Sequence, residues 1–163
     1  MSDYHGMTSW KEKVLADCCE PCDILLVEDN PNDAELALRA LRKNNIANRI
    51  FVVGDGAEAL DFLFASGAYR GRDTSEHPKV VLLDLKLPRV SGLQVLERMK
   101  RDTETAMIPV VALTSSREDK DIEKCYRLGV NSYIVKPVEF GDFVKAVSEL
   151  GLYWIALNQS PPC

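Results

Sequence analysis

The sequence has no long apolar run and no strongly basic region. It carries 20 Lys and Arg against 25 Asp and Glu, a formal net charge of −5, which argues against non-specific nucleic-acid binding because such binding depends on basic patches. No apolar stretch approaches the roughly 20 residues that a membrane-spanning helix needs. The N-terminus also lacks the apolar core of a signal peptide. We therefore expect a cytoplasmic protein without a membrane or nucleic-acid partner.

The five cysteines do not suggest a disulfide framework, because their number is odd and they are unevenly spaced. Cys18, Cys19 and Cys22 cluster near the N-terminus, and the last two have a spacing found in redox and zinc motifs. A structural zinc site needs four ligands, however, and no second cysteine pair follows at a suitable distance. We interpret residues 1–22 as an N-terminal extension that either forms a short helix or is disordered, and leave the role of these cysteines open.

The remaining sequence has the composition of one globular domain, with 46% apolar and 28% charged residues in a chain of 163. We expect this domain over residues 23–157 and a short tail over residues 158–163. No second domain follows in this sequence, so we expect no DNA-binding or enzymatic output from it.

Five short apolar segments alternate with amphipathic segments of helical spacing. The apolar segments predict strands near 23–28, 49–53, 80–83, 109–113 and 132–135, and each is followed by a predicted helix. This repeated βα order predicts an α/β fold with a five-stranded parallel sheet and helices on both faces. Right-handed crossovers make the sheet doubly wound, in the flavodoxin-like strand order 2-1-3-4-5.

Polar residues stand where four of these strands end, and ligands of such sheets bind at that edge. Glu28 and Asp29 follow the first strand, and Asp84 follows the central apolar run. Carboxylates this close raise each other's pKa unless a cation intervenes, and hard oxygen ligands suit Mg²⁺ together with a phosphate. Thr114 and Lys136, at the ends of the last two strands, can donate hydrogen bonds to phosphoryl oxygens. Asp84 is then a credible nucleophile for phosphoryl transfer.

At these residues the chain resembles the receiver domain of two-component response regulators. The resemblance runs from about Asp23 to the last helix and therefore covers most of the chain. Its motifs are Leu26-Val27-Glu28-Asp29-Asn30, Asp84 with Pro88 and Gly92, Thr114-Ser115, and Lys136-Pro137.

The resemblance implies that Asp84 accepts a phosphoryl group from the phosphohistidine of a sensor histidine kinase or a phosphotransfer protein. Glu28, Asp29, Asp84 and the backbone carbonyl of Lys86 would hold one Mg²⁺. Such a protein is a signalling phosphoacceptor, which catalyses only its own phosphorylation and dephosphorylation.

Further roles are implied at the other end of the sheet edge. Thr114 and Lys136 would contact the phosphoryl group, and the Lys136–Pro137 bond would be cis. Tyr133 falls on the family's switch aromatic, which moves inward as Thr114 swings toward the phosphate. Lys86 and Ser116 occupy positions that tune the lifetime of the phosphoryl group in the family.

The sequence is similar in particular to stand-alone regulators that are partnered with bacterial phytochrome histidine kinases. The segment 30–35, the long loop 66–77 and the Leu152-Tyr153-Trp154 tail are like theirs. This likeness suggests a phytochrome-type kinase as the partner.

The sequence of the last helix predicts a homodimer. Its aromatic residues would form an exposed patch, and such a patch usually marks an interface. A helix over residues 139–157 would extend past the sheet, although Gly151 could interrupt it. The alternative is that the tail folds back over the domain. The candidate dimer surface comprises Phe143, Val147, Tyr153, Trp154 and Leu157.

Three other functions remain open at this stage. A Mg²⁺-dependent phosphatase with an aspartyl nucleophile usually has a second acid two residues after the nucleophile, where this chain has Lys86. A flavin-binding electron carrier needs a phosphate loop after the first strand, where Glu28 and Asp29 would repel a phosphate. The third alternative is an unphosphorylated binding module.

Overall fold

The computed structural model describes residues 22–43, 49–137 and 139–161. The expectations for the N-terminal extension, including Cys18 and Cys19, lie outside these residues. The strands are β1 (Ile24–Val27), β2 (Ile50–Val53), β3 (Val80–Leu83), β4 (Val110–Thr114) and β5 (Ser132–Val135). The α-helices are α1 (Pro31–Lys43), α2 (Gly56–Leu63), α3 (Gly92–Arg101), α4 (Asp119–Leu128) and α5 (Phe140–Gly151).

The strands form one parallel sheet in the order β2-β1-β3-β4-β5, which confirms the predicted fold. In this sheet Val27 is level with both Val53 and Leu83, so β1, β2 and β3 end together. The three central strands are buried along their whole length. Their unbroken apolar sequences follow from this position, because helices cover both faces of the sheet.

Successive strand residues point to opposite faces of the sheet, so the chain builds two core layers. Leu25 and Val27 belong to the layer that α2, α3 and α4 cover. Ile24 and Leu26 belong to the opposite layer, which α1 and α5 cover. In that layer α1 contributes mainly alanines, so α5 can approach it closely, and Ser148 Oγ donates to Ala40 O at 3.4 Å.

The long segment between α2 and β3 is anchored to the domain by two buried side chains. The guanidinium of Arg72 lies 4.1 Å from the centroid of the Phe62 ring and donates to Phe62 O and Glu76 O at 3.1 and 2.7 Å. Tyr69 is buried as well, and its hydroxyl donates to Glu58 Oε1 at 2.7 Å. These contacts pack the segment onto the first core layer.

The described cysteines, Cys22 and Cys125, are free thiols buried in the core. The Cys22 thiol donates to Ile24 O at 3.1 Å, and its burial raises its pKa to about 12. Burial likewise raises the pKa of Cys125 to about 11. Both therefore stay protonated, whereas metal binding and redox exchange need a thiolate.

The last helix continues beyond α5 as a π-helical segment, Leu152–Leu157. Gly151 has helical dihedral angles and does not interrupt it. Phe143, Val147 and Trp154 are buried in the second core layer, so the prediction that they form a dimer surface is wrong. Their spacing of four and seven residues defines the face of the helix that covers the sheet.

Tyr153 and Leu157, the other two members of that predicted surface, are exposed together with Leu152. Tyr153 also lines a cleft at the β5 edge, together with Ser132, Ile134, Ala146, Glu149, Leu150 and Trp154. Within the described residues, no helix has both the length and the apolar character required to cross a membrane.

Candidate phosphorylation site

The two central acids stand level with each other at the sheet edge. Glu28 N donates to Val53 O and Asp84 N donates to Val27 O, both at 3.1 Å, so the parallel pairing continues one residue beyond the strands. Ligand oxygens of Glu28, Asp29 and Asp84 lie within 4.8 Å of one another. Glu28 and Asp84 are buried and Asp29 is exposed, which leaves the group open to solvent on one side.

Lys136 connects this group to β5, and its ammonium contacts three carboxylates. Its backbone N–H donates to Thr114 O at 2.7 Å and holds the residue at the end of the sheet. The Nζ atom donates to Asp84 Oδ2 and Asp33 Oδ2, both at 3.0 Å, and to Glu28 Oε2. Each contact is a charge-assisted hydrogen bond, the stronger kind of hydrogen bond.

Asp33 is a member of this cluster that the sequence analysis did not identify. Only residues 28–30 separate β1 from α1. The Asn30 side chain accepts hydrogen bonds from the amides of Asn32 and Asp33 at 2.9 and 3.2 Å. This capping places Asp33 in the first turn, from which its carboxylate reaches Lys136. The sequence did contain a signal for Asp33. It is an acid at the third position of a helix, and that helix follows a strand that ends in acids.

The cluster has more negative than positive charge. Burial raises the pKa of Glu28 to about 7, although its hydrogen bond from Lys136 opposes the shift. Burial also disfavours the charged form of Lys136, but its bonds to Glu28 and Asp33 and the charge of Asp84 raise its pKa above the usual range. Hard oxygen donors with an uncompensated charge fit a hard divalent cation, with Glu28, Asp29 and Asp84 as the candidate ligands.

The loop after β3 holds Asp84 in place. The backbone N–H of Lys86 donates to Asp84 Oδ1 at 3.2 Å, and Gly92 N donates to Leu85 O at 2.9 Å. Gly92 lies so close to this loop that a Cβ atom there would be 2.1 Å from Asp84 O. The helix α3 therefore begins directly against the end of β3, where Ser91 and Gln94 form a capping box.

The other side of the site contains hydroxyl groups. Thr114 is fully buried, and its Oγ1 accepts a hydrogen bond from Ser116 N at 3.4 Å. Ser116 Oγ donates to Asp121 Oδ2 at 2.6 Å, and Tyr133 OH donates to Ser116 O at 2.9 Å. Burial raises the pKa of Tyr133. Ser116 thus connects Thr114 to Tyr133 through hydrogen bonds. Its own side chain is held by Asp121, a residue that the sequence analysis did not identify.

The Lys136–Pro137 peptide bond is trans, since no bond between described residues is cis. The expectation of a cis bond is therefore wrong for this structure. The trans form is the lower in energy for a bond preceding proline, by about 0.5–1 kcal/mol, and Lys136 reaches all three carboxylates with it.

The doubly wound fold and the acidic site at its sheet edge are features of a known protein family. The family model described as the response regulator receiver domain matches residues 24–148. The chain therefore belongs to the response regulator receiver domain family.

Individual relatives include regulators from different signalling systems. Over 87% of its length the chain is 43% identical to the probable methanogenesis regulatory protein FilR2 of Methanothrix harundinacea, covering 89% of that protein. It is 36% identical to the response regulator Rcp1 of Synechocystis, over 83% of this chain and 90% of Rcp1.

Solved structures of response regulators, two of them described as phytochrome response regulators, are also similar. The Mn²⁺-bound form of Rcp1 and the phosphorylated cyanobacterial phytochrome response regulator RcpA each superpose with a TM-score of 0.80 at 34% identity. Both alignments cover 85% of this chain, with 98% of Rcp1 and 97% of RcpA. The bacteriophytochrome response regulator AtBRR is 54% identical, with a TM-score of 0.65 over 83% of this chain and 96% of AtBRR.

Proposed function

We propose that this protein is a phosphorylation-dependent signalling switch that accepts a phosphoryl group on Asp84. The observation that carries this proposal is the position of Asp84. Its carboxylate lies within the same group of ligand oxygens as Glu28 and Asp29, and it accepts a hydrogen bond from Lys136. Membership of the receiver family and the likeness to a phosphorylated regulator support it.

The reaction needs no other covalent chemistry from the chain. A carboxylate oxygen of Asp84 attacks the phosphorus of a phosphohistidine, an O–P bond forms, and the P–N bond breaks. The leaving imidazole nitrogen takes up a proton from solvent. Lys136 neutralises charge on the transferred group. The Thr114 hydroxyl, whose oxygen accepts from Ser116 N in this structure, donates a hydrogen bond to a second phosphoryl oxygen. Hydrolysis of the acyl phosphate returns Asp84, so the chain catalyses only its own modification.

One Mg²⁺ is the metal that the donor set favours. Bound by Glu28, Asp29, Asp84 and the carbonyl of Lys86, it would neutralise charge on the transferring phosphoryl oxygens. The Mn²⁺-bound Rcp1 structure supports a divalent cation in this family.

The proposed phosphate source is a histidine kinase of the phytochrome type, acting directly or through a phosphotransfer protein on this chain in the cytoplasm. The likeness to RcpA and AtBRR supports this partner, whereas the likeness to FilR2 is to a regulator of another process. Phosphoryl transfer from a purified bacteriophytochrome kinase should be faster than transfer from a histidine kinase without a bilin chromophore. Equal or slower transfer would remove the phytochrome assignment and leave the receiver function intact.

The first test of the phosphorylation site is an intact-mass measurement after incubation with acetyl phosphate and Mg²⁺. The native chain should gain one phosphoryl group that chelation of the metal prevents, and Asp84→Asn should gain none. Asp73→Asn, in the exposed loop before β3, is the matched control and should react like the native chain. A native chain that gains nothing while another receiver is modified would contradict the proposal.

We also propose a homodimer in which the exposed residues Tyr153 and Leu157 face a second copy. Their exposure, and the position of Tyr153 in the cleft at the β5 edge, support a surface that another molecule covers. Sedimentation should show a dimer, before or after phosphorylation, that Tyr153→Asp with Leu157→Asp converts to a monomer. Met107→Asp, at an exposed apolar residue elsewhere, should leave the dimer intact. A native chain that is monomeric in both states would contradict it.

A further inference from the structure

The hydrogen-bond donors of Lys136 are all in use. A lysine ammonium has three N–H groups, and in this structure Nζ donates to Glu28, Asp33 and Asp84. A phosphoryl oxygen that arrives at Asp84 can therefore bond to Lys136 only if one carboxylate gives up its place.

The three carboxylates differ in how easily they can leave. The Glu28 side chain is 4% exposed, so losing the lysine would leave its buried charge unpaired. The Asp84 side chain is 9% exposed, and after phosphorylation its remaining acyl oxygen can still accept from the lysine as a carbonyl oxygen. The Asp33 side chain is 32% exposed and stands in the first turn of a surface helix. It can exchange the lysine for water at the least cost.

We propose that Asp33 is a positioning residue that competes with the phosphoryl group for Lys136. In the unphosphorylated protein Asp33 occupies the donor of Lys136 that the phosphoryl group uses later. When Asp84 is phosphorylated, a phosphoryl oxygen replaces the Asp33 carboxylate, and that carboxylate becomes hydrated. This inference rests on the proposed function, because the competition requires a phosphoryl group on Asp84.

The charge of Asp33 acts in the same direction as its hydrogen bond. A carboxylate near Lys136 repels a phosphoryl group that carries negative charge, and it pulls the ammonium toward α1. Removing that charge should therefore speed phosphorylation and slow the loss of the phosphoryl group.

A purely structural role for Asp33 predicts something different. An acid in the first turn of a helix stabilises that helix through its dipole, and this effect changes the unfolding temperature. It does not change the half-life of a phosphoryl group on Asp84, at the end of β3. The half-life therefore separates the two roles.

The test compares four full-length proteins: the native chain, Asp33→Asn, Asp33→Glu and Glu35→Gln. Each is phosphorylated with acetyl phosphate and Mg²⁺ and followed by intact mass during gain and, after removal of the donor, during loss. Glu35→Gln removes one charge from the same helix and breaks only an exposed ion pair with Arg39. Thermal unfolding of each protein reports any effect on the helix.

We expect Asp33→Asn to gain the phosphoryl group about two- to fivefold faster and to lose it more slowly by a similar factor, the range of a partly exposed ion pair. Asp33→Glu, which keeps the charge, should restore rates near the native ones, and Glu35→Gln should match the native chain. Native or slower gain in Asp33→Asn, or equal half-lives, would overturn the inference while leaving the proposed function standing. A native chain that gains no phosphoryl group would overturn the proposed function, and the competition with it.

Discussion

The two sides of Asp84 are built from different chemistry. On one side a single cation, Lys136, bonds to three carboxylates, two of which are buried. On the other side Thr114, Ser116 and Tyr133 form a chain of hydrogen bonds between uncharged groups, which ends on one carboxylate. The first can be called the ionic side and the second the hydroxyl side.

This difference shows which side can rearrange cheaply. Removing one member of a buried ion pair costs about 3–5 kcal/mol, because a charge is left without a partner. A neutral hydrogen bond contributes only about 0.5–1.5 kcal/mol to stability, so exchanging one for another changes the free energy by less than that. The ionic side is therefore suited to binding charge, and the hydroxyl side to changing conformation. Three substitutions test this comparison.

The largest effect is expected for Lys136→Met on the ionic side. The substitution leaves Glu28, Asp33 and Asp84 without their cation, and the free energy of unfolding without metal should fall by about 3 kcal/mol. Urea denaturation measures this loss. Mg²⁺ should recover part of it, because a cation would again neutralise the carboxylates.

Lys86→Met is the control for that prediction. Lys86 is exposed beside the same loop, so its removal should change the free energy of unfolding by less than about 0.5 kcal/mol. Equal losses in the two variants would mean that the ionic side does not depend on Lys136.

A smaller effect is expected for Ser116→Ala on the hydroxyl side. The substitution removes the bond to Asp121 and the weaker one that Ser116 Oγ accepts from Glu118 N at 3.4 Å. The free energy of unfolding should fall by about 1.5–2 kcal/mol, and amide exchange at 116–118 should become faster. Ser115→Ala, at the exposed neighbouring residue, should change neither quantity. No loss in Ser116→Ala would show that the Asp121 bond contributes no stability.

The smallest effect is expected for Tyr133→Phe. The ring stays in place and only the bond to Ser116 O is lost, so urea denaturation should show a loss of about 1 kcal/mol or less. Tyr126→Phe, at an exposed tyrosine on α4, is the matched control and should be neutral. A loss as large as that of Lys136→Met would erase the distinction between the two sides.

The residues at strand ends could be predicted from the sequence, whereas those on helices could not. Glu28, Asp84, Thr114 and Lys136 follow apolar runs directly, and parallel strands bring their carboxyl ends to one edge. Asp33 and Asp121 act from the first turns of α1 and α4. Their contacts depend on how each helix is rotated against the sheet, and sequence spacing does not specify that rotation.

The same limit explains the error on the last helix. Helical spacing identifies Phe143, Val147 and Trp154 as one apolar face, but it does not say whether that face meets the sheet or another molecule. The small side chains of Ala37 and Ala40 on α1 leave room for that face to pack inward.

The close packing around Gly92 limits how tolerance to mutation can be interpreted in this protein. A Cβ atom on Gly92 would collide with Asp84 O, and one on Gly56 would lie 1.9 Å from Val90 O. Backbone atoms cannot move aside as a flexible side chain can, so every substitution at these glycines should be rejected as strictly as substitution of Asp84, the proposed phosphoacceptor. In a saturation library scored only for signalling, Gly56 and Gly92 would therefore look as intolerant of substitution as Asp84, although neither has a chemical role. Separating them requires a second score, such as the cellular abundance of each variant.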